Sequence, residues 1–345
     1  MAATDPPVLE VADLAVSIHG LEGTAQILDH VNLRVPRGKI VGVVGESGCG
    51  KSTLVRAVLG ILPRGGTADS GTIRFEGSDL LTLSERQLSR DIRGKAIGFI
   101  PQDPFLALNP VFRVGTQLLE ILAWHETEDG DPPGLARRLS RGARRRHRAR
   151  LVELLRAAQI PDPEQALERY PHQFSGGQRQ RLLIAGALAC RPRLVIADEP
   201  TTALDVTTQQ QILGLLKQLA EEFSVAMVFV THDFGVVAEL CDEVTVMYAG
   251  QSVETGRTRE ILERPRHPYT QALIGCHPDR SDDLSGIPGS VPSPLAQPTG
   301  CRFHPRCAFA RPQCATARPP AIALGAEHEV SCVLFDPAQA EPALG

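Results

Sequence analysis

Apolar and polar positions alternate over residues 8–18 and again over 27–35, the two-residue period of half-buried edge strands. Lys39-Ile40-Val41-Gly42-Val43-Val44 abandons the alternation and is almost wholly apolar, which predicts a strand covered on both faces. A helix is expected from Lys51 to about Leu62, stopped by Pro63-Arg64-Gly65-Gly66. Residues 95–100 form another predicted strand. From Asp103 to about Ala189 the period lengthens to that of helices, over Gln117–Trp124, Arg148–Gln159 and Ser175–Ala189. Strands return at 194–198, 225–230 and 243–248, with a helix over Thr207–Glu222 between the first two. Strands alternating with helices imply an α/β fold, a parallel sheet covered by helices.

The chain has 345 residues, room for two or three domains. A net charge of −4 provides no global basic field, so no nucleic-acid partner is expected. No run of about 18 apolar residues occurs. The start, Met1-Ala2-Ala3-Thr4-Asp5, lacks the basic and apolar stretches of a signal peptide. Any membrane process would need spans from other chains. Eight arginines and no acid lie between Arg137 and Arg150. They suit anionic headgroups or phosphate, but a solvated loop and helix start is the preferred reading.

The chemistry is concentrated in short motifs. Gly45-Glu46-Ser47-Gly48-Cys49-Gly50-Lys51-Ser52-Thr53 meets the pattern G-x-x-x-x-G-K-[ST]. Its glycines let successive N–H groups turn toward phosphate oxygens, and the following helix adds its positive end. Lys51 is expected on the β- and γ-phosphates and Ser52 on Mg²⁺. Leu194-Val195-Ile196-Ala197 leads into Asp198 and Glu199, two acids that are costly at a buried strand end unless used. Asp198 would hold Mg²⁺; Glu199 would be the general base for the attacking water. Cys49, near a helix N-terminus, has the setting of a low-pKa thiol, although a small filler at a variable position is preferred.

Together with Gln102, Phe174-Ser175-Gly176-Gly177-Gln178 and His232, these motifs resemble the ATPase subunit of ABC transporters. The resemblance implies an α/β P-loop ABC ATPase: a RecA-like core, an antiparallel β subdomain and an inserted helical subdomain at about 103–190, together spanning 1–264. By the same resemblance Gln102 touches Mg²⁺ and the attacking water, and His232 contacts the γ-phosphate. Ser175, Gly176, Gly177 and Gln178 form the signature that closes on ATP held by a second subunit, and Ala203-Leu204-Asp205 is the D-loop crossing that interface. The family's adenine-stacking aromatic is missing; Ile18-His19 stands in its region.

Arg264-Pro265-Arg266-His267-Pro268-Tyr269-Thr270-Gln271-Ala272-Leu273, with Ile287-Pro288-Gly289 and Pro298-Thr299-Gly300-Cys301-Arg302-Phe303-His304-Pro305-Arg306-Cys307, resembles the oligopeptide/dipeptide/nickel importer branch. Ala197-Asp198-Glu199-Pro200-Thr201-Thr202-Ala203-Leu204-Asp205-Val206-Thr207 is more like the first of that branch's two ATPase subunits. The resemblance implies ATP hydrolysis driving peptide import at the cytoplasmic face of the membrane. Nickel, opine or glycan fragments are alternative cargoes; a non-transport ABC ATPase and a redox or regulatory metal-cluster protein are rival classes. Implied partners are a second ATPase chain in a heterodimer, two permeases that dock near residues 103–125, and an extracytoplasmic binding protein. A small Cys-rich C-terminal domain is expected over 265–345. Its Cys301, Cys307, Cys314 and Cys332 read C-x5-C-x6-C-x17-C, not the paired C-x2-C of zinc ribbons. Four thiolates suit an iron–sulfur cluster or Zn²⁺, and the resemblance favours [4Fe–4S].

Overall fold

The computed structural model describes residues 6–125, 140–202, 204–276, 286–325 and 327–336. Its strands are β1 (Leu9–Gly20), β2 (Gly23–Val35), β3 (Ile40–Val44), β4 (Gly66–Phe75), β5 (Ser78–Asp79), β6 (Ile97–Ile100), β7 (Leu194–Asp198), β8 (Ala226–Thr231), β9 (Glu243–Tyr248), β10 (Gln251–Arg257), β11 (Ile322–Ala323) and β12 (Glu329–Val330). Its helices are α1 (Lys51–Val58), α2 (Glu85–Gln87), α3 (Val114–His125), α4 (Arg141–Ala157), α5 (Pro163–Ala166), α6 (Gly176–Leu188), α7 (Val206–Glu222), α8 (Phe234–Leu240), α9 (Thr258–Glu263) and α10 (Pro268–Gly275). The chain folds as two compact units, each discontinuous in sequence. Of the described residues, one holds those within Thr82–Phe229, Pro36–Gly38 and 6–8; the other holds those within Leu9–Val35, Lys39–Leu81 and from Val230 to Asp336.

In the first unit, β6 and β7 run parallel, in register from Ile97↔Leu194 to Ile100↔Ala197. Leu194, Val195, Ile196 and Ala197 are all buried, as expected of a parallel strand covered on both faces. Helix α6 lies directly on β6: a Cβ added at Gly98 would sit 2.4 Å from the Ala187 carbonyl oxygen. In α4 the buried residues are His147, Leu151, Leu154 and Leu155, one stripe at helical spacing. This helix begins at Arg141, well before the expected Arg148. Ser140 caps it, its Oγ accepting the Ala143 N–H at 3.1 Å. The apolar stripe starts only at His147, so periodicity alone could not reveal the first turns. Arg141, Arg144, Arg145 and Arg146 are exposed, in line with the solvated reading; Arg137 and Arg138 lie outside the described residues.

In the second unit, β2, β1, β4 and β5 form an antiparallel sheet in that order. Strand β4 carried no strand signal, because only Ile73 and Phe75 of Gly-Thr-Ala-Asp-Ser-Gly-Thr-Ile-Arg-Phe are buried. Pairing with β1 decides its state, from Leu9↔Phe75 to Ile18↔Gly66. Strands β3 and β9 pair in parallel. Strand β10 pairs antiparallel with both β9 and β12, so the chain beyond residue 320 extends this sheet. Helix α1 stops at Val58, before the expected Leu62, because Gly60 takes a left-handed φ of 63° there. Among the described residues no helix is long and apolar enough to cross a membrane.

Leu155 on the buried stripe of α4 is fully enclosed. Leu155→Ala is expected to destabilise the protein by about 2–5 kcal/mol. Arg145→Ala on the exposed side should stay within about 0.5 kcal/mol. Urea denaturation of both variants checks the contrast.

Candidate functional site

In the second unit the apolar β3 feeds directly into the loop from Gly45 to Gly50, and α1 starts at Lys51. A Cβ at Gly45 would lie 2.1 Å from the Met247 carbonyl oxygen, so only glycine lets β9 pass this close. Gly50, with φ 104°, is the N-cap of α1. Lys51 is 5 % exposed, and its ammonium donates to the carbonyl oxygens of Gly45 at 2.7 Å and Glu46 at 3.1 Å. Ser52 and Thr53 are half-buried; Ser47 and Gly48 are exposed. The geometry corrects the low-pKa setting considered for Cys49. Burial pushes its thiol up, outweighing the Lys51 charge, and leaves it 1 % exposed. His232 is exposed just beyond β8.

Residues outside the motifs also reach this loop. The Tyr269 hydroxyl accepts the Glu46 N–H at 2.9 Å, and Arg306 grips the Glu46 carboxylate at 2.8 and 3.1 Å. The His-Pro-Tyr segment was visible in the sequence, but nothing there linked it to the loop. Ile18 lines an open apolar cavity of about 440 Å³ with Ile27, Pro294 and Leu295. His19 is exposed, its ring bonded to the Thr24 hydroxyl at 3.0 Å.

In the first unit Asp198 ends β7, and Glu199 turns the chain with a left-handed φ of 46°. That turn places the Glu199 carboxylate between two donors. Gln102 Nε2 reaches its Oε2 at 3.2 Å and the Thr202 hydroxyl reaches the same oxygen at 3.1 Å. Gln102 and Glu199, both assigned to the attacking water, are thus in hydrogen-bond contact, and Thr202 joins them without having been assigned a role. Ser175 is the exposed N-cap of α6 in a reciprocal box: its Oγ accepts the Gln178 N–H at 3.3 Å, and Gln178 Oε1 accepts the Ser175 N–H at 3.1 Å. A Cβ at Gly177 would lie 2.6 Å from Thr208 Cγ2. Asp205 caps α7 by accepting from both the N–H and the hydroxyl of Thr208, at 3.0 and 2.7 Å. The starts of α6 and α7 thus meet at Thr208; Ala203 lies outside the described residues.

A family model described as "ABC transporter" matches residues 28–202, which hold the phosphate loop, Gln102, the signature and the acid pair. The oligopeptide transport ATP-binding protein OppD of Bacillus subtilis is 43% identical over 96% of this chain and 89% of its own length. The chain belongs to the ABC transporter ATPase family. The probable D,D-dipeptide transport ATP-binding protein DdpD of Escherichia coli is 41% identical over 96% of this chain and 98% of its own. A second model, described as "Oligopeptide/dipeptide transporter, C-terminal region", matches residues 253–314. Among solved structures, the ATP-binding cassette MJ0796, dimeric in a post-hydrolysis state with ADP and Pi, matches with a TM-score of 0.60. The identity is 28%, over 73% of this chain and 99% of that one.

In this ABC ATPase the four C-terminal cysteines line one small cavity together with Phe303 and His304. None is disulfide-bonded. Burial pushes the Cys301 and Cys332 thiols up to about 11, and the Cys307 thiol up as well. Among the described residues no three His, Cys, Asp or Glu side chains are arranged to hold a metal ion. The expected cluster is thus present as neighbouring thiols and not as a closed ligand set.

The Gly177–Thr208 contact generates a compensation test. Gly177→Ala should lower ATPase turnover by at least about tenfold, because the methyl meets a side chain held by the Asp205 cap. Adding Thr208→Ser removes Cγ2 but keeps the hydroxyl bond, and should restore most of the rate. Steady-state ATPase assays of both variants check this.

Proposed function

We propose that this chain is the ATP-hydrolysing subunit of a peptide importer, peripheral on the cytoplasmic face of the membrane. The observation carrying this reading is the near full-length likeness to peptide-import ATP-binding proteins, tail included. We take residues 1–264 as the ATPase part and 265–345 as the tail of that branch. The loop from Gly45 to Thr53 cradles the phosphates, and Lys51 neutralises β- and γ-oxygens. The adenine rests on the apolar surface of Ile18, Ile27, Pro294 and Leu295 in place of an aromatic. Ser52, Gln102 and Asp198 offer only oxygen donors, which suits Mg²⁺, and when bound the ion screens the charge of the phosphates.

Glu199 takes a proton from the attacking water. The water oxygen bonds to the γ-phosphorus as the bond to the bridging β–γ oxygen breaks, leaving ADP and phosphate. Gln102 and Thr202, both donors to Glu199, orient the base. His232 contacts the γ-phosphate. Ser175, Gly176, Gly177 and Gln178 act on ATP held by a second, different ATPase chain, with Asp205 at that interface. Closing and opening of this pair drives two permeases fed by an extracytoplasmic binding protein. An exposed apolar stretch supports docking of the permeases near residues 103–125. Leu106 is 85% exposed and Val111 74%, beside a groove of about 650 Å³ lined by Leu108, Phe112, Ile121 and Trp124.

Glu199→Gln should lower kcat at least about a hundredfold while trapping an ATP-bound pair of ATPase chains. ATPase assays and size-exclusion chromatography of the co-expressed importer check this; undiminished turnover removes Glu199 from its role. The [4Fe–4S] reading of Cys301, Cys307, Cys314 and Cys332 is supported by the resemblance alone. Anaerobically purified protein should then absorb broadly near 400 nm and hold about four irons per chain. Stoichiometric zinc, or no metal at all, overturns that reading.

A further inference from the structure

The tail ends in contacts with the phosphate loop that go beyond covering a surface. Glu46 is the second residue of that loop, and all three of its polar groups are engaged. Its carbonyl seats Lys51, its N–H donates to Tyr269, and its carboxylate receives Arg306. Arg306 is half-buried as a residue, but its side chain is only 4% exposed. Nη1 donates to Glu46 at 2.8 Å and to the Tyr248 hydroxyl at 3.2 Å; Nη2 donates to Glu46 at 3.1 Å and to the Ile287 carbonyl at 2.9 Å; Nε donates to the Pro288 carbonyl at 2.8 Å. A guanidinium has five N–H donors, and here each has an acceptor. Such a fork is satisfied only when Glu46, Tyr248 and the tail backbone all keep their places.

Tyr269 is held as tightly. Its ring is fully buried, tilted against Tyr248 at 4.6 Å and Phe303 at 5.3 Å between centroids. Its own N–H donates to His267 Nδ1 at 3.0 Å. Burial pushes His267 down to about 3, so the ring stays a neutral acceptor at ordinary pH. Arg302, 2% exposed, fixes the same stretch of tail to the Ala249 carbonyl, Gln26 and Asp29.

We infer that Arg306 and Tyr269 are positioning residues for nucleotide binding: they fix Glu46, and through its carbonyl the Lys51 ammonium that meets the phosphates. The inference rests on the reading of residues 45–53 as the ATP loop. A tail that served only stability could be anchored anywhere. His328 shows such an anchor, bonded to Glu254 at 2.9 Å and Glu260 at 3.2 Å with no loop residue involved.

The test is a titration of the full-length chain with trinitrophenyl-ATP, alongside thermal melts. Arg306→Gln and Glu46→Gln should each raise Kd about fivefold to tenfold, and the double variant should be no worse than about twofold beyond either single. Arg306→Lys, which keeps the charge and loses the fork, should raise Kd about threefold. His328→Ala should lower the melting temperature yet leave Kd within about twofold. The inference is overturned if the Arg306 variants bind like wild type, if the two single effects multiply, or if His328→Ala weakens binding as much as Arg306→Gln. Should Arg306→Gln not fold, the Arg306→Lys titration decides alone. Wild-type protein that does not bind the probe would instead overturn the ATP reading itself.

Discussion

An ammonium shut away from water is the constraint around which the phosphate loop is organised. Lys51 is 5% exposed, and burial of an uncompensated charge is prohibitive. Two carbonyl oxygens, those of Gly45 and Glu46, compensate it. Their direction therefore matters more than any side chain of the motif. The two are controlled by different means. Gly45 is pinned by the passage of Met247, which leaves no room for a Cβ. Glu46 has a side chain and an N–H that can be gripped, and both are.

The acidic strand end in the first unit is controlled differently. Glu199 adopts a left-handed backbone, which costs a non-glycine residue of order 1–3 kcal/mol. The hydrogen bonds from Gln102 and Thr202 offset part of that cost. A relaxed Glu199 would extend β7 by one residue and carry its carboxylate away from Gln102. The helix starts of α6 and α7 are coupled in a similar way. Thr208 is bonded twice to Asp205 and stands against Gly177, so displacement of the Asp205 turn presses on the signature helix. That contact gives a mechanical link between two motifs nearly thirty residues apart.

The legible parts of the chain were those where burial and period coincide. Strands β3 and β7 lie within a residue of expectation because β3 is an unbroken buried run and β7 is apolar up to its last residue, Asp198. Helix α7 was expected at Thr207 and begins at Val206, because Asp205 caps it. Strand β4 was illegible, since a sequence of Gly, Thr, Ala, Asp and Ser is a strand only through its partner. The early start of α4 was hidden by arginines, which have good helix propensity but no apolar period. At the site, Lys51, Gln102, Glu199 and Ser175 were named by motif. Arg306 stood in a quoted tail motif without a role, because a side chain acting through a bond to a residue 260 positions away has no local signature. Thr202 stood in the quoted run after the acid pair, and its bond to Glu199 three residues back depends on the left-handed turn there, which the sequence did not reveal. Cys49 was weighed from its neighbours in sequence, but its burial comes from three-dimensional packing, which sequence proximity does not report.

The composition of the tail gives its contacts with the loop a thermodynamic consequence. Between residues 286 and 336 the buried apolar side chains are few, chiefly Phe303, Val330 and Val333 with Cys314 and Cys332. A segment this poor in apolar residues cannot pack a core of its own. It borrows order from the ATPase part, through β12 on β10, Arg302 on Asp29, His328 on Glu254 and Arg306 on Glu46. Linkage makes such borrowing reciprocal. If the tail steadies Glu46, then a ligand that steadies Glu46 must in equal measure steady the tail. On that inference, nucleotide on the loop and order in the cysteine-bearing tail are coupled by equal free energies in both directions, with the Arg306 guanidinium as the element common to both.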